Sequence, residues 1–213
     1  MPRLEWDKAG ERFFETGLDR GTFQPTNSSG SDPWSGLISV EEAPSGGAPR
    51  PYYIDGVKYL NLASVEEYEA SITAFTAPPS FIWAEGVSSV QRGLYVTQQK
   101  RQAFHFSYRT RVGNDALGVD YGYKIHIVYN ALASPTGRSH STIGDSAEPV
   151  ELSWNVTTLP PKATGFRPTS HFIIESAKTP AALLTSIEDI LYGSPTTFAR
   201  IPNVTELVAL FNG

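Results

Sequence analysis

In four stretches of this chain apolar and polar side chains alternate one by one, and a period of two belongs to an extended strand, whose successive side chains point to opposite faces. In Ala103 to Arg111, Phe104, Phe106 and Tyr108 point one way and His105, Ser107 and Arg109 the other. In Lys124 to Asn130, Ile125, Ile127 and Tyr129 oppose Lys124, His126 and Val128. In Val150 to Thr158, Val150, Leu152, Trp154 and Val156 oppose Glu151, Ser153, Asn155 and Thr157. In the fourth, Tyr68, Ala70, Ile72 and Ala74 alternate with Glu67, Glu69, Ser71 and Thr73. Ser64 and Glu67 also stand at capping-box spacing for a helix there. The run nevertheless ends in β-branched and aromatic residues before Pro78-Pro79, which favours a strand. Each long strand therefore has one apolar and one polar face, as expected of antiparallel sheets wet on one side.

The punctuation supports this reading. Eighteen glycines and sixteen prolines spread along 213 residues break the chain into many short segments rather than a few long helices. Asp55-Gly56, between the β-rich halves of Tyr52 to Leu62, suits the positive φ angles of a type I′ hairpin turn. Shorter strands are expected at Arg12 to Thr16 (ended by Gly17), in Trp34 to Glu42, and at His171 to Ser176. Helix is confined to two places. Thr179-Pro180 offers an N-cap and a proline at the first helical position, followed by the stripe Leu183, Leu184, Ile187, Ile190 and Leu191 and a stop at Gly193. A shorter helical turn is expected from Asn203 to Phe211, with Asn203 and Glu206 at capping distance. The fold class is mostly β: an antiparallel β-sandwich or barrel-like subunit with one flanking α-helix and long loops or arms. Residues 1–213 read as one domain, with flexible segments at about 24–50 and 77–93.

Several function classes fall away on composition. Zero cysteines remove disulfides, thiolate zinc sites, iron–sulfur clusters and cysteine nucleophiles together. A net charge of −5 disfavours a general nucleic-acid binder. No apolar run reaches the roughly 20 residues a membrane-spanning helix needs, and the start lacks the build of a secretory signal. The four histidines, His105, His126, His140 and His171, lack acidic or histidine partners at metal-ligand spacing and read as solvated or hydrogen-bonded structural residues. Ser139, His140, Ser141 and Asp145 supply the atoms of a triad without a nucleophile elbow. The run Asn114 to Asp120 lacks the closing Glu of a calcium loop and reads as a hairpin turn. No P-loop or dinucleotide fingerprint occurs. Arg109 and Arg111 share one strand face, and the acidic runs Glu41-Glu42 and Glu66, Glu67 and Glu69 are placed to pair with them, in the same chain or in a neighbour.

Taken in order along the chain, these residues resemble the major tail (tail tube) proteins of long non-contractile tailed bacteriophages, in the lineage infecting Gram-positive hosts. The likeness is carried by Leu4 to Lys8 with Gly10 to Arg12, by Tyr53 to Leu62 (YIDGVKYLNL) and by Glu67 to Thr76 (EYEASITAFT). Its strongest block joins Gln98-Gln99, Arg101, Phe104 and Ser107 to Thr110 with Gly113 to Asp115 and Gly122 to Pro135 (GYKIHIVYNALASP). It continues through Thr142 to Ser146, Glu148-Pro149, Ser153-Trp154, Pro168 to Ile173 and Glu188 to Gly193.

The resemblance implies a β-sandwich or barrel-like subunit that assembles into six-membered rings, stacked into a tube through which DNA passes. It implies no enzymatic activity and no cofactor or metal. The partners it implies are further copies of the chain, other tail proteins and DNA in transit, without membrane insertion. Its place would be the virion tail, assembled in the host cytoplasm. An acidic subunit suits such a channel, because like charge keeps DNA from sticking. The candidate inter-subunit contacts are Trp34, Glu41, Glu42, Tyr52, Tyr53, Glu67, Glu69, Arg109 and Arg111, and segment 24–50 is expected to order against neighbours. Two alternatives stand beside this. One is a baseplate or distal tail adaptor of similar fold. The other is a carbohydrate-binding β-sandwich using Trp34, Tyr52, Tyr53, Trp83 and Tyr95 as a stacking platform.

Overall fold

A computed structural model describes residues 3–142 and 149–212. In chain order the strands are β1 (Phe13–Pro25), β2 (Asp32–Pro33), β3 (Leu37–Glu42), β4 (Ser45–Gly46), β5 (Pro49–Ile54), β6 (Val57–Ala63), β7 (Glu66–Glu67) and β8 (Glu69–Ala74). A 3-10 helix (Pro79–Trp83) leads to β9 (Ser88–Gln91), β10 (Leu94–Val96), β11 (Phe104–Asn114), β12 (Gly118–Pro135), β13 (Leu152–Thr158) and β14 (His171–Glu175). Two helices close the chain, α1 (Ala181–Tyr192) and α2 (Val204–Asn212). No helix among the described residues is long and apolar enough to cross a membrane.

The fold is mostly β and antiparallel. Its main sheet runs β2-β1-β11-β12-β13-β8-β3, with β14 alongside β12. One edge of β12 is shared: residues 124–128 pair with β14, then 131–135 pair with β13. Between the two, Asn130 takes a φ of 51° and its side-chain amide donates to Leu159 O. The sheet curls until β1 lies against β3, and Trp34 N–H, just beyond β2, donates to Gly21 O of β1 at 2.8 Å. A Cβ on Gly21 would stand 2.9 Å from Leu37 Cδ2 and 3.2 Å from Trp34 O, so a larger residue would make Leu37 and the backbone at Trp34 shift.

The alternation read in the sequence becomes two cores, one on each side of the sheet. Inside the curl lie Phe23, Trp34, Ile72, Phe104, Phe106, Tyr108, Val128, Trp154 and Val156. Phe81, from the 3-10 helix, plugs this core with its ring 4.9–5.4 Å from those of Phe23, Trp34, Phe104 and Trp154. Outside, Ile125, Ile127, Tyr129 and Ile174 pack under Ile187 and Leu191 of α1 and Val204 and Leu207 of α2. The second face of the central strands is therefore covered by helices rather than wet. Its polar groups pair below them: Thr22 Oγ1 and Ser107 Oγ are 2.7 Å apart, and Gln24 Oε1 accepts from Ile201 N–H.

Other departures have local causes. Gly17, with φ 67°, makes a bulge, and β1 runs on to Pro25 instead of stopping. Thr179 does not cap α1; its hydroxyl donates back to Glu175 O, and Pro180 stands at the cap. The expected second helical turn is a full helix, α2, with Asn203 Oδ1 accepting from Glu206 N–H. Segment 24–50 carries β2, β3 and β4, and segment 77–93 carries the 3-10 helix and β9.

Candidate assembly surface

Residues 37–74 form one long antiparallel ribbon whose root and tip have opposite surroundings. At the root, β3 pairs with β8 inside the main sheet, and Ala70, Ile72 and Ala74 are buried. Ala43 N–H donates to Glu69 O, and β4 pairs with β7 as a narrow neck. At the neck, Gly46 has φ 79°, and a Cβ there would meet Val65 O at 2.5 Å. Beyond it β5 and β6 form a separate hairpin, about 20 Å long at strand rise. The turn is the expected one: Asp55 and Gly56 have φ of 50° and 78°, and Ile54 faces Val57 across it.

Every residue of this hairpin is exposed. The register pairs Arg50 with Leu62, Tyr52 with Leu60 and Ile54 with Val57, and opposed residues share a face. One face thus carries Tyr52, Ile54, Val57, Leu60 and Leu62 as an apolar stripe. Tyr53, one residue on from Tyr52, belongs to the other face with Lys58 and Asn61. A two-stranded hairpin without cover is marginal by itself, and covering one large apolar side chain contributes about 1.5–3 kcal/mol.

Of the nine contacts expected from the sequence, six lie on this ribbon: Glu41, Glu42, Tyr52, Tyr53, Glu67 and Glu69. Glu41 and Glu67 are exposed, and Glu69 accepts from Ser45 Oγ at 2.6 Å, bracing the neck. Trp34 must be withdrawn: it is 4% exposed, with its indole N–H bonded to Thr76 O. The stacking platform suggested for a sugar loses that ring too.

Arg109 and Arg111 pair with neither acidic run. Arg109 binds Asp19 of β1 through Nε and Nη2 at 2.5 and 2.7 Å, with its guanidinium 4.6 Å over the Tyr123 ring. Arg111 reaches the same carboxylate at 3.3 Å. The Arg109 hydrogen bonds hold the Asp19 carboxyl below its ordinary range. Both guanidinium groups of this strip thus share the single Asp19 carboxylate within the chain.

The histidines also depart from expectation, because strands bring two of them to one place. His126 Nδ1 lies 3.1 Å from His171 Nε2, and Glu42 Oε1 lies 3.5 Å from His126 Nδ1. Tyr108 OH donates to Glu42, and its ring stacks on His126 at 4.5 Å. Burial lowers both imidazoles, His171 to about 4, against the opposing pull of Glu42. Local spacing carries no signal of this, since Glu42, His126 and His171 come from three separate strands. Of the triad atoms, Asp145 lies outside the described residues. Asn114 to Asp120 is indeed a turn, with Asn114 Oδ1 accepting from Ala116 and Leu117 N–H. That turn has a second use with no local signal in the sequence: Asp115 Oδ1 accepts from Gly10 and Arg12 N–H, tying down the N-terminal arm.

No family model matches the chain, and no curated protein matches it in sequence. Among solved structures it is similar to a chain of the anti-feeding prophage baseplate, with a TM-score of 0.40 and 11% identity over 83% of this chain and 100% of that one. It is similar to the SPP1 tail tube subunit, with a TM-score of 0.36 and 12% identity over 70% of this chain and 73% of that one. A chain of the PVC sheath–tube complex, from an extracellular contractile injection system, gives a TM-score of 0.30 and 14% identity over 81% and 94% of the two chains. At such scores these likenesses leave function to be read from the surface itself.

Proposed function

We propose that this chain is a structural subunit that polymerises with copies of itself, forming stacked rings of a phage tail tube. The observation that carries this reading is the β5–β6 hairpin: an ordered apolar stripe held away from its own core by a neck. Such a stripe gains its stabilisation only against another molecule, and a neighbouring copy is always at hand in a closed ring. The sheet ends at β2 and β3 and the free side of β14 offer further backbone for lateral pairing, which a ring would remove as exposed edges. The sequence resemblance to tail tube proteins points the same way, and it supports six-membered rings and passage of DNA through an acidic lumen. In this reading the role is structural, without catalysis, and the arm that packs against neighbours is 49–63 rather than 24–50.

Electron microscopy and sedimentation of the purified chain over a concentration series test the proposal. Rings or tubes are expected, and their loss is expected when residues 51–61 are replaced by a two-residue turn that leaves the body folded. Normal polymerisation of that shortened chain would refute the role given to the hairpin.

A further inference from the structure

We propose that Glu42, His126 and His171 form a binding site for a divalent transition-metal ion of the zinc class. Imidazole nitrogens and a carboxylate oxygen are the donor types such an ion selects when no thiolate is present. Four ligands at zinc bond lengths of about 2.0–2.1 Å stand about 3.3 Å apart at the corners of a tetrahedron. The separation of 3.1 Å between His126 Nδ1 and His171 Nε2 and that of 3.5 Å between His126 Nδ1 and Glu42 Oε1 bracket this spacing. One ligand atom from each of the three residues lies within 4.8 Å of the others. Glu42, 36% exposed, has room to close the remaining gap, while His126 and His171 are 6% and 14% exposed and held by packing.

The surroundings of His126 orient it as a ligand. With Nδ1 on the ion, its Nε2–H faces Thr110 Oγ1 at 3.1 Å, and Thr110 donates onward to Glu15, which Lys124 pairs at 2.5 Å. A hydrogen bond from the second ring nitrogen is the usual means of fixing a metal-binding histidine. Without an ion, the short contact between the two imidazoles holds one proton, on His171 Nε2 when His126 Nε2 is protonated. Binding moves that proton to His171 Nδ1, which faces Glu42 Oε2 at 3.9 Å. Proton count is conserved, and no oxidant or reductant is required. Neutral imidazole is the form that binds such an ion. Tyr68 Oη, buried with its ring 4.7 Å from that of His171, makes no hydrogen bond among the described residues and adds a polar group beside the site. An ion here ties β3, the root of the projecting ribbon, to β12 and β14. The site stands whether or not the chain forms tubes.

Titration of the full chain with Zn2+ near neutral pH, followed by calorimetry and thermal melting, tests the site, with Co2+ as a visible-absorption probe of tetrahedral coordination. One ion per chain and a rise in melting temperature are expected. His171→Gln and Glu42→Gln should each weaken binding at least about tenfold, the scale already lost when a hydrogen-bond partner of a metal ligand is removed. Thr110→Val should weaken it while leaving the Co2+ spectrum tetrahedral. His140→Gln, on an exposed loop, should change nothing. Glu42→Gln keeps an acceptor for the Tyr108 hydroxyl, so the fold survives in at least one variant. Absence of saturable binding, or binding unaffected by Glu42→Gln and His171→Gln in folded protein, overturns the proposal.

Discussion

The ribbon of residues 37–74 is one piece of antiparallel chain whose two halves obey different rules. At its root, β8 alternates buried and half-buried side chains, and Ile72 is 0% exposed. At its tip, Tyr52, Ile54, Val57 and Leu60 have similar apolar size yet stand 45–69% exposed. Antiparallel pairing runs through both halves and the neck between them, so hydrogen bonding does not distinguish them. What differs is whether a second layer lies opposite the apolar face. Strand propensity makes a hairpin in either case, whereas only packing makes one half part of a core. The tip is thus built like an interior strand and placed like a surface one.

Breaking the root should have the largest effect. Ile72→Ala should cost about 2–5 kcal/mol by removing buried methyl groups from the inner core, seen as a lower midpoint in denaturant unfolding. A change at the neck should come next and act locally. Gly46→Val places a side chain against Val65 O at a positive φ, a strain of about 1–3 kcal/mol. Hydrogen exchange of the β5–β6 amides should accelerate, while amides of β11 and β12 keep their protection. Charge on the body should matter less. Asp19→Asn should cost about 1–2 kcal/mol at neutral pH by removing the carboxylate bound by Arg109. Because the folded-state carboxyl titrates below its ordinary value of 3.8, this contribution is complete above that value and drains away as pH falls below it. The variant should therefore show a flatter acid limb in thermal melts against pH.

The smallest effect on stability should come from the tip, and it sharpens the contrast most. Ile54→Ser combined with Leu60→Ser should shift unfolding by no more than about 0.5 kcal/mol, as for exposed positions generally. The same double variant should fail to sediment as polymer. If it lowered stability as Ile72→Ala does, the stripe would be packed on its own chain, and the contrast would be lost.

Much of the body was legible because its signals are local. Alternation marked β8, β11, β12 and β13 before any contact was known, and Asp55-Gly56 marked the hairpin turn. Gly193 and Asn203 marked a stop and a start of helix. What was illegible depends on distance in sequence. Nothing in the string HFSYR shows that Arg109 meets Asp19, since that pairing follows from the β1–β11 register. Trp34, expected as an inter-subunit contact, is carried into the core by curling of the sheet. His126 and His171 are diagonal neighbours only because β14 pairs beside β12, and Glu42 joins them only because β3 curls back. The apolar stripe of α1 announced a flanking helix but not that it covers the polar face, since serines and threonines bonded beneath a helix read like serines and threonines in water.

The pairing of β1 with β11 has a consequence for the order of events as the chain folds. Phe13 sits opposite Asn114 and Pro25 opposite Phe104, so this seam closes only after the entire ribbon has been synthesised between its two sides. The ribbon turns on a two-residue loop, and short loops close orders of magnitude faster than long ones. In a newly made chain the two strands of the hairpin therefore meet, in a marginally stable pairing, before the body is finished. If the hairpin mediates the self-association proposed above, slow, dilute synthesis should give better-ordered material than rapid overproduction.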